Sequence, residues 1–162
     1  TERRKEIANL CMLHPDIFVA QTTAAHTNHF YKAVMAANEY PGPTVVNVYT
    51  TCQPEHGVAD DMAMAQAKLA ADSRTFPVFI YDPAKGERFS ERLSLQGNPA
   101  KNKDWYVNPK TQEPIDFISF AKSEGRFAKH FDKFGNPAEI LIQAQEDRLK
   151  NWQLLQELAG II

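Results

Sequence analysis

Short apolar runs alternate with stretches of helical spacing in the first half of the chain. Residues 17–20, 44–49 and 76–81 form three such runs, which are rich in β-branched and aromatic residues. A short apolar run that follows turn residues, as the second follows a Pro-Gly-Pro turn at residues 41–43, is typical of a strand. The pattern therefore predicts three strands.

A helix is predicted before each of these strands. The helix at residues 2–13 is expected to pack on the sheet through Ile7, Leu10 and Cys11, which recur at helical spacing. The second helix follows the polar residues 22–28, and the third covers residues 62–71. Three successive helix-strand units predict right-handed crossovers and a parallel sheet.

The second half of the chain has a different pattern. Residues 84–113 are mostly polar and predict an extended arm, whereas residues 114–162 predict a helical tail with a final helix from about residue 137 to residue 158. One side of that helix carries Trp152, Leu155 and Leu158, which we interpret as a docking surface for a neighbouring domain or subunit. The predicted fold is α/β, a parallel sheet with flanking helices in residues 1–83, followed by the arm and the tail.

Composition and charge restrict the possible partners. The 162 residues carry a formal net charge of -2, which gives no electrostatic reason to expect nucleic acid or a membrane surface as a partner. No apolar stretch has the length of a bilayer span and no signal-peptide pattern is recognised, so we expect a cytoplasmic protein. The chain begins at Thr1 inside a charged run, which indicates a piece of a larger protein.

Cys52 is the main candidate for chemistry, since it lies in a polar loop directly after the predicted strand at residues 44–49. The carboxyl ends of parallel strands form the edge at which α/β sheets collect ligands, and a thiolate there is a metal ligand. One cysteine cannot hold a metal alone, and the chain has no CxxC motif. The alternative is a small buried residue at a strand end, because free cysteines are among the most buried residues. Both cysteines are predicted to be thiols.

Other polar residues allow a chemical and a structural interpretation. His56 either donates a hydrogen bond to a cluster or a substrate, or caps a backbone carbonyl. His26 and His29 have a spacing that suits a metal on a helix face, but no third ligand accompanies them. Glu55, Asp60 and Asp61 allow a metal site or an acid-base pair, but Asp60 and Asp61 at a helix start fit helix capping better. The remaining candidates are Met62 and Met64, which we interpret as packing residues.

A series of short segments occurs in a recognisable order across about residues 4–83. The segments are Phe18-Val19-Ala20-Gln21, Lys32-Ala33, Tyr40-Pro41-Gly42-Pro43, Tyr49-Thr50-Thr51-Cys52, His56-Gly57, Gln66-Ala67-Lys68-Leu69-Ala70 and Tyr81-Asp82-Pro83. Together they resemble the last part of the thiamine-diphosphate domain of pyruvate:ferredoxin (flavodoxin) oxidoreductases. Each segment alone is weak, and the ordered series is what makes the resemblance specific.

The resemblance implies a role for two residues. Cys52 matches the outlying fourth ligand of the iron-sulfur cluster nearest thiamine diphosphate, and Asn28 falls in a loop that the family places near the active site. The other three cluster cysteines are absent from this sequence, and so is the family's Gly-Asp-Gly motif for diphosphate and magnesium. We therefore expect a fragment or subunit that is inactive alone, with Cys52 as its cofactor and metal ligand and no catalytic residue of its own.

The function that the resemblance implies is the oxidative decarboxylation of a 2-oxoacid, with pyruvate favoured, to acyl-CoA. The electrons leave through iron-sulfur clusters to ferredoxin or flavodoxin. The implied cofactors are thiamine diphosphate, Mg2+ and 4Fe-4S clusters, and the implied partners are coenzyme A and the remaining domains or subunits of a homo-oligomeric enzyme. The alternative is a non-catalytic α/β interaction module that has kept the fold without the cofactors.

Overall fold

The central strand of the fold is β1 (Phe18–Thr23), in which every residue is buried. The computed structural model describes residues 4–162, so the first positions of the helix expected over residues 2–13 lie outside the described residues. β1 pairs in parallel with β2 (Thr44–Tyr49) along the full length of both strands. Helix α2 (Thr27–Glu39) connects them and packs on β1. This βαβ unit confirms the α/β class.

The other elements are arranged around this unit. In chain order they are α1 (Ile7–Met12), α3 (Gln53–His56), α4 (Ala63–Asp72), β3 (Phe79–Tyr81), α5 (Phe89–Arg92), β4 (Leu93–Ser94), β5 (Tyr106–Val107), β6 (Pro114–Ile115), α6 (Phe117–Lys122) and α7 (Glu139–Leu158). Short 3-10 turns occupy Asp60–Met62, Pro83–Lys85 and Gly125–His130. β5 and β6 form a separate antiparallel pair, whereas the main sheet has the order β2-β1-β3-β4.

The direction of β3 corrects the predicted parallel sheet. β3 pairs antiparallel with β1, with Phe79 beside Gln21, and β4 is antiparallel to β3, so the sheet is mixed. β2 ends beside Thr23 and β3 begins beside Gln21. The connection between these two strands therefore begins and ends near the same end of β1, its carboxyl end. To place β3 parallel to β1, the connection would have to cross the sheet and begin the strand at the amino end of β1.

Helix α7 packs on the sheet of its own chain. Trp152 and Leu155 are fully buried in a cluster with residues of β1, β3, β4 and α1, and Leu158 is partly buried against that cluster. The Trp152 indole Nε1 donates a hydrogen bond to the Lys103 carbonyl oxygen at 2.9 Å. The interpretation of this stripe as a docking surface for another domain or subunit is therefore wrong, because an intramolecular core already covers it.

The packed face of α1 also differs from the prediction. Ala8 and Met12 are buried in the same cluster as Trp152, whereas Ile7 is 55% exposed and Leu10 is 53% exposed. Of the three residues expected on the packed face, Cys11 alone is partly buried against the cluster. The larger apolar side chains of Ile7 and Leu10 suggested that their face of α1 packs on the core. The face with the small Ala8 side chain does so instead, because it lets the helix approach the core closely.

Candidate functional site

Cys52 lies just beyond the carboxyl end of β2, and it is exposed. Its backbone is extended, with φ -94° and ψ 103°, and it precedes the first residue of α3. The structural interpretation of Cys52 as a small buried residue at a strand end is therefore wrong. The thiol is open to a ligand that approaches this edge of the sheet, which is what a metal-binding role requires.

Residues 52–57, here called the Cys52 loop, fold into a single tight turn. The His56 amide donates a hydrogen bond to the Cys52 carbonyl oxygen at 2.9 Å, and the Gly57 amide donates to the Pro54 carbonyl oxygen at 3.3 Å. Gly57 ends α3 in the left-handed conformation, with φ 63° and ψ 47°, which favours glycine. The loop therefore has a defined backbone conformation behind an exposed thiol.

A buried carboxylate, Glu124, lies behind this loop. Its side chain is fully buried, and its oxygens accept hydrogen bonds from the Tyr49 hydroxyl at 3.2 Å, the Gln66 Nε2 at 3.0 Å and the Arg126 Nε at 2.5 Å. The His56 Nδ1 atom lies 3.7 Å from a Glu124 carboxylate oxygen and has no hydrogen-bond partner. The histidine therefore faces Glu124, and the prediction that it caps a backbone carbonyl through this nitrogen is not observed.

Tyr49, the last residue of β2, is tied to the same carboxylate. Burial of the phenol, followed by the nearby charge of Glu124, raises the pKa of Tyr49 to about 12. Both effects disfavour the phenolate, because burial removes the water that would solvate this anion and the charge of Glu124 repels it. The hydroxyl is therefore protonated at neutral pH, as it must be to donate a hydrogen bond to Glu124.

The loop after β1 lies at the same sheet edge, since Thr23 and Tyr49 are paired at the ends of the parallel strands. The His29 Nδ1 atom is 2.9 Å from the Thr22 hydroxyl oxygen. Burial, together with the charges of His26 and Lys32, lowers the pKa of His29 to about 4. A histidine that is neutral and bonded to a threonine fits local packing of α2 against β1. Asn28 is exposed at the start of α2.

The other candidates are at the surface. Asp60 and Asp61 are exposed in the 3-10 turn before α4, and the N-cap position of α4 is Met62, so the predicted capping is wrong in position. Met62 is 46% exposed and Met64 is 54% exposed, so neither is the packing residue that was expected. Glu55 is exposed as well.

Within residues 4–162, no group of three or more histidine, cysteine or acidic side chains could hold a metal ion. His26 and His29 are accordingly not joined by a third ligand there. The helices of the same residues include none that is both long and apolar enough to cross a membrane. Among the cysteine and histidine candidates within residues 4–162, Cys52 is the one that is exposed.

Glu124 is the residue of this region that sequence reasoning missed. It stands among the polar residues Ser123, Gly125 and Arg126, a context that is typical of an exposed turn. A lone glutamate is almost never fully buried unless it is paired, and its partners Tyr49 and Gln66 are distant in sequence. No local signal could have identified it.

Comparison with known proteins gives relatives along nearly the whole chain, although no family model matches it. The chain is 28% identical over 160 residues to a pyruvate-flavodoxin oxidoreductase of Rhodospirillum rubrum, covering 98% of this chain and 12% of that protein. It is 24% identical to the ketoisovalerate oxidoreductase subunit VorB of Pyrococcus horikoshii over 98% of this chain and 43% of that subunit. It is 23% identical to the pyruvate synthase subunit PorB of Thermotoga maritima, with the same two coverages of 98% and 43%.

The chain thus spans less than half the length of each of these relatives. All three names describe enzymes of 2-oxoacids, and the matches extend well beyond residues 4–83, into the arm and the tail. The expected resemblance is confirmed. The chain is similar to oxidoreductases of pyruvate and ketoisovalerate over 98% of its length.

Proposed function

We propose that this chain is a fragment or subunit of a 2-oxoacid:ferredoxin (flavodoxin) oxidoreductase and that Cys52 ligates one of the enzyme's iron-sulfur clusters. The observation that carries the proposal is the exposed Cys52 thiol at the carboxyl edge of β2, in a chain that matches such enzymes over 98% of its length. Ligands of α/β sheets collect at this edge.

The residues present fit a single corner of a cluster. Thiolates are the usual ligands of iron-sulfur clusters, and Cys52 offers one from a loop with defined geometry. Since no further group of metal-ligating side chains occurs in residues 4–162, the other ligands would come from elsewhere in the enzyme. When bound, the cluster supplies one-electron transfer. The part of this chain is to hold the thiol in place through the backbone of the Cys52 loop.

The finer features of the reaction remain proposals. Pyruvate is the favoured substrate, oxidised to acyl-CoA with thiamine diphosphate and Mg2+ bound by other parts of the enzyme. Ferredoxin or flavodoxin is the proposed electron acceptor, and a homo-oligomer in the cytoplasm is the proposed form. The names of relatives support both pyruvate and ketoisovalerate as substrate types in this family.

We also propose that the rest of the oxidoreductase packs against β2 and α1. β2 forms one edge of the sheet, and each of its residues is at least partly exposed, whereas all of β1 is buried. Val48 is 41% exposed, and Leu13, just beyond α1, is 77% exposed. β2 carries no charge or proline of the kind that protects a free edge strand. The relatives are more than twice as long as this chain, so their additional residues can supply the cover.

Replacement of Cys52 by Ala in the complete oxidoreductase tests the cluster role. The expected result is the loss of the iron and the visible absorbance of one cluster, with one electron paramagnetic resonance signal removed. Cys11→Ala is the matched control, because Cys11 is a free thiol that is half-buried against the core cluster, on α1. A full cluster content in Cys52→Ala would contradict the ligand role and would remove Cys52 from the cluster site.

A further inference from the structure

Glu124 joins the Cys52 loop to three other parts of the fold. Its carboxylate accepts hydrogen bonds from Tyr49 at the end of β2, from Gln66 in α4 and from Arg126 in the turn that follows α6. His56 of the Cys52 loop faces the same carboxylate at 3.7 Å. A single side chain from the C-terminal part of the chain thus contacts the strand before the loop, the loop itself and helix α4 after it.

The network around Glu124 has one consistent set of donors and acceptors. The Gln66 Nε2 donates to Glu124 at 3.0 Å, and the Gln66 Oε1 lies 2.9 Å from the Ser123 hydroxyl, which shares its one hydrogen between Gln66 and the Phe120 carbonyl oxygen at 2.7 Å. The neutral Tyr49 hydroxyl supplies a second donor, and the Arg126 guanidinium supplies a third together with the compensating charge. A fully buried carboxylate is costly unless it is paired and hydrogen-bonded, and this one is both.

The backbone next to Glu124 touches the loop directly. The Gly125 amide donates a hydrogen bond to the Gly57 carbonyl oxygen at 3.2 Å. A Cβ added at Gly57 would lie 2.8 Å from the Gly125 Cα, and one added at Gly125 would lie 3.2 Å from the Gly57 Cα. Neither backbone can give way without moving the other, so the contact fixes the end of the Cys52 loop against residues 124–125.

We propose that Glu124 is a positioning residue for the Cys52 loop. Its network and the Gly57–Gly125 contact hold the backbone of residues 52–57 in the one conformation that presents the Cys52 thiol outward. The helical tail then serves as the support of the ligand loop. The link to an iron-sulfur cluster rests on the proposed function, whereas the positioning of the loop stands on the geometry alone.

Hydrogen exchange of the protein, read by mass spectrometry, tests the positioning role. Glu124→Gln removes the charge at nearly constant volume, so amides of residues 52–58 are expected to exchange about tenfold faster or more. Asp72→Asn is the matched control, since Asp72 is a buried carboxylate in an ion pair with Lys68 at the far end of α4. The control is expected to leave residues 52–58 unchanged. Amides of α2 are expected to be unchanged in both variants.

Several results would overturn the positioning role. Unchanged exchange at residues 52–58 in Glu124→Gln would do so, and so would a uniform increase over the whole chain, which would indicate a general core role. If Glu124→Gln does not fold, Gln66→Met removes the hydrogen bonds of Gln66 with Glu124 and Ser123 and leaves the Arg126 ion pair. A local increase at residues 52–58 supports the proposal, and no local increase overturns it.

A second measurement separates this proposal from the proposed function. In the complete oxidoreductase, Glu124→Gln is expected to shift the reduction potential and the electron paramagnetic resonance spectrum of one cluster while the iron content is retained. A general structural role would not alter one cluster selectively. If exchange rises locally but all clusters are unchanged, the loop is positioned by Glu124 and the assignment of Cys52 as a cluster ligand is wrong.

Discussion

Arg74 is the residue whose replacement gives the sharpest test of the fold. It is fully buried and lies two residues after the end of α4, with its backbone at φ 61°. Its Nη2 donates hydrogen bonds to the carbonyl oxygens of Pro99 at 2.8 Å and Ala100 at 3.1 Å, and its Nε donates to that of Asp104 at 3.3 Å. The guanidinium carbon lies 4.0 Å from the centre of the Trp152 ring. One side chain thus ties residues 99–104 to α7.

The structure allows the size of the effect to be estimated. Hydrogen bonds from a charged donor contribute about 1.5–3 kcal/mol each, and a desolvated cation over an indole contributes about 2 kcal/mol. Burial opposes this by lowering the pKa of Arg74 to about 10, a penalty of about 3 kcal/mol on the charged form. The left-handed backbone costs about 1–2 kcal/mol more for a residue with a Cβ. The three hydrogen bonds and the ring contact together contribute about 6–11 kcal/mol, so they exceed these costs by at least about 2 kcal/mol.

Two replacements separate the side chain from the backbone. Arg74→Gly is expected to lower the free energy of unfolding by about 3 kcal/mol, because it removes the contacts but relieves the strain at φ 61°. Arg74→Ala loses the same contacts and keeps the strain, so it is expected to be about 1 kcal/mol less stable than Arg74→Gly. Arg74→Lys is expected to lie between these variants and the original chain, since an ammonium cannot reach three carbonyl oxygens in a planar fork.

The assay is urea unfolding of the chain followed by far-ultraviolet circular dichroism, with the slope against urea compared among the variants. Trp152 fluorescence provides an independent signal, because this tryptophan lies directly under the guanidinium. An unfolding free energy of Arg74→Gly within about 0.5 kcal/mol of the original chain would refute the reasoning about the side chain. Equal stabilities of the Gly and Ala variants would refute the reasoning about the backbone.

Two further predictions concern the Cys52 region and the exposed edge. Because the pKa of Tyr49 is raised to about 12 in the folded chain, its neutral form stabilises the fold at lower pH, and this contribution should be lost as pH rises from about 10 to about 12. Tyr49→Phe should remove the latest phase of phenolate absorbance in an alkaline titration, and an unchanged titration would contradict the buried contact with Glu124. Val48→Lys should destabilise the assembled oxidoreductase by about 2 kcal/mol or more, because burial of an unpaired ammonium is costly. Met64→Lys, at an exposed position of α4, is the control, and equal thermal midpoints for the two variants would show that β2 is not covered.

Much of the βαβ unit could be predicted from the sequence. The apolar run at residues 44–49 and the turn before it predicted β2 correctly, and the placement of Cys52 in the loop after the strand follows from the same pattern. The final helix, expected from about residue 137 to residue 158, is α7 from Glu139 to Leu158. Local patterns decide these features, because strand and helix periods are set by neighbours along the chain.

The exposure of Cys52 and the support behind it could not be predicted. A free cysteine at a strand end is compatible with burial and with exposure, and only the packing of surrounding elements decides between them. The burial of Glu124 was still harder to predict, because its partners Tyr49 and Gln66 are 75 and 58 residues away along the chain. Burial of a carboxylate depends on donors that the tertiary fold brings together.

The sequence by itself determined the class of the fold, the bounds of β2 and of the final helix, and the resemblance of the ordered segments to 2-oxoacid oxidoreductases. The tertiary structure decided the direction of β3, the burial of Trp152 and Leu155 within the chain, and the place of Glu124 behind the Cys52 loop. The physical reason is the range of the interactions. Periodicity shows that a face is apolar, but the element that covers it, and the edge at which a connection returns, depend on contacts between residues that are remote in the chain.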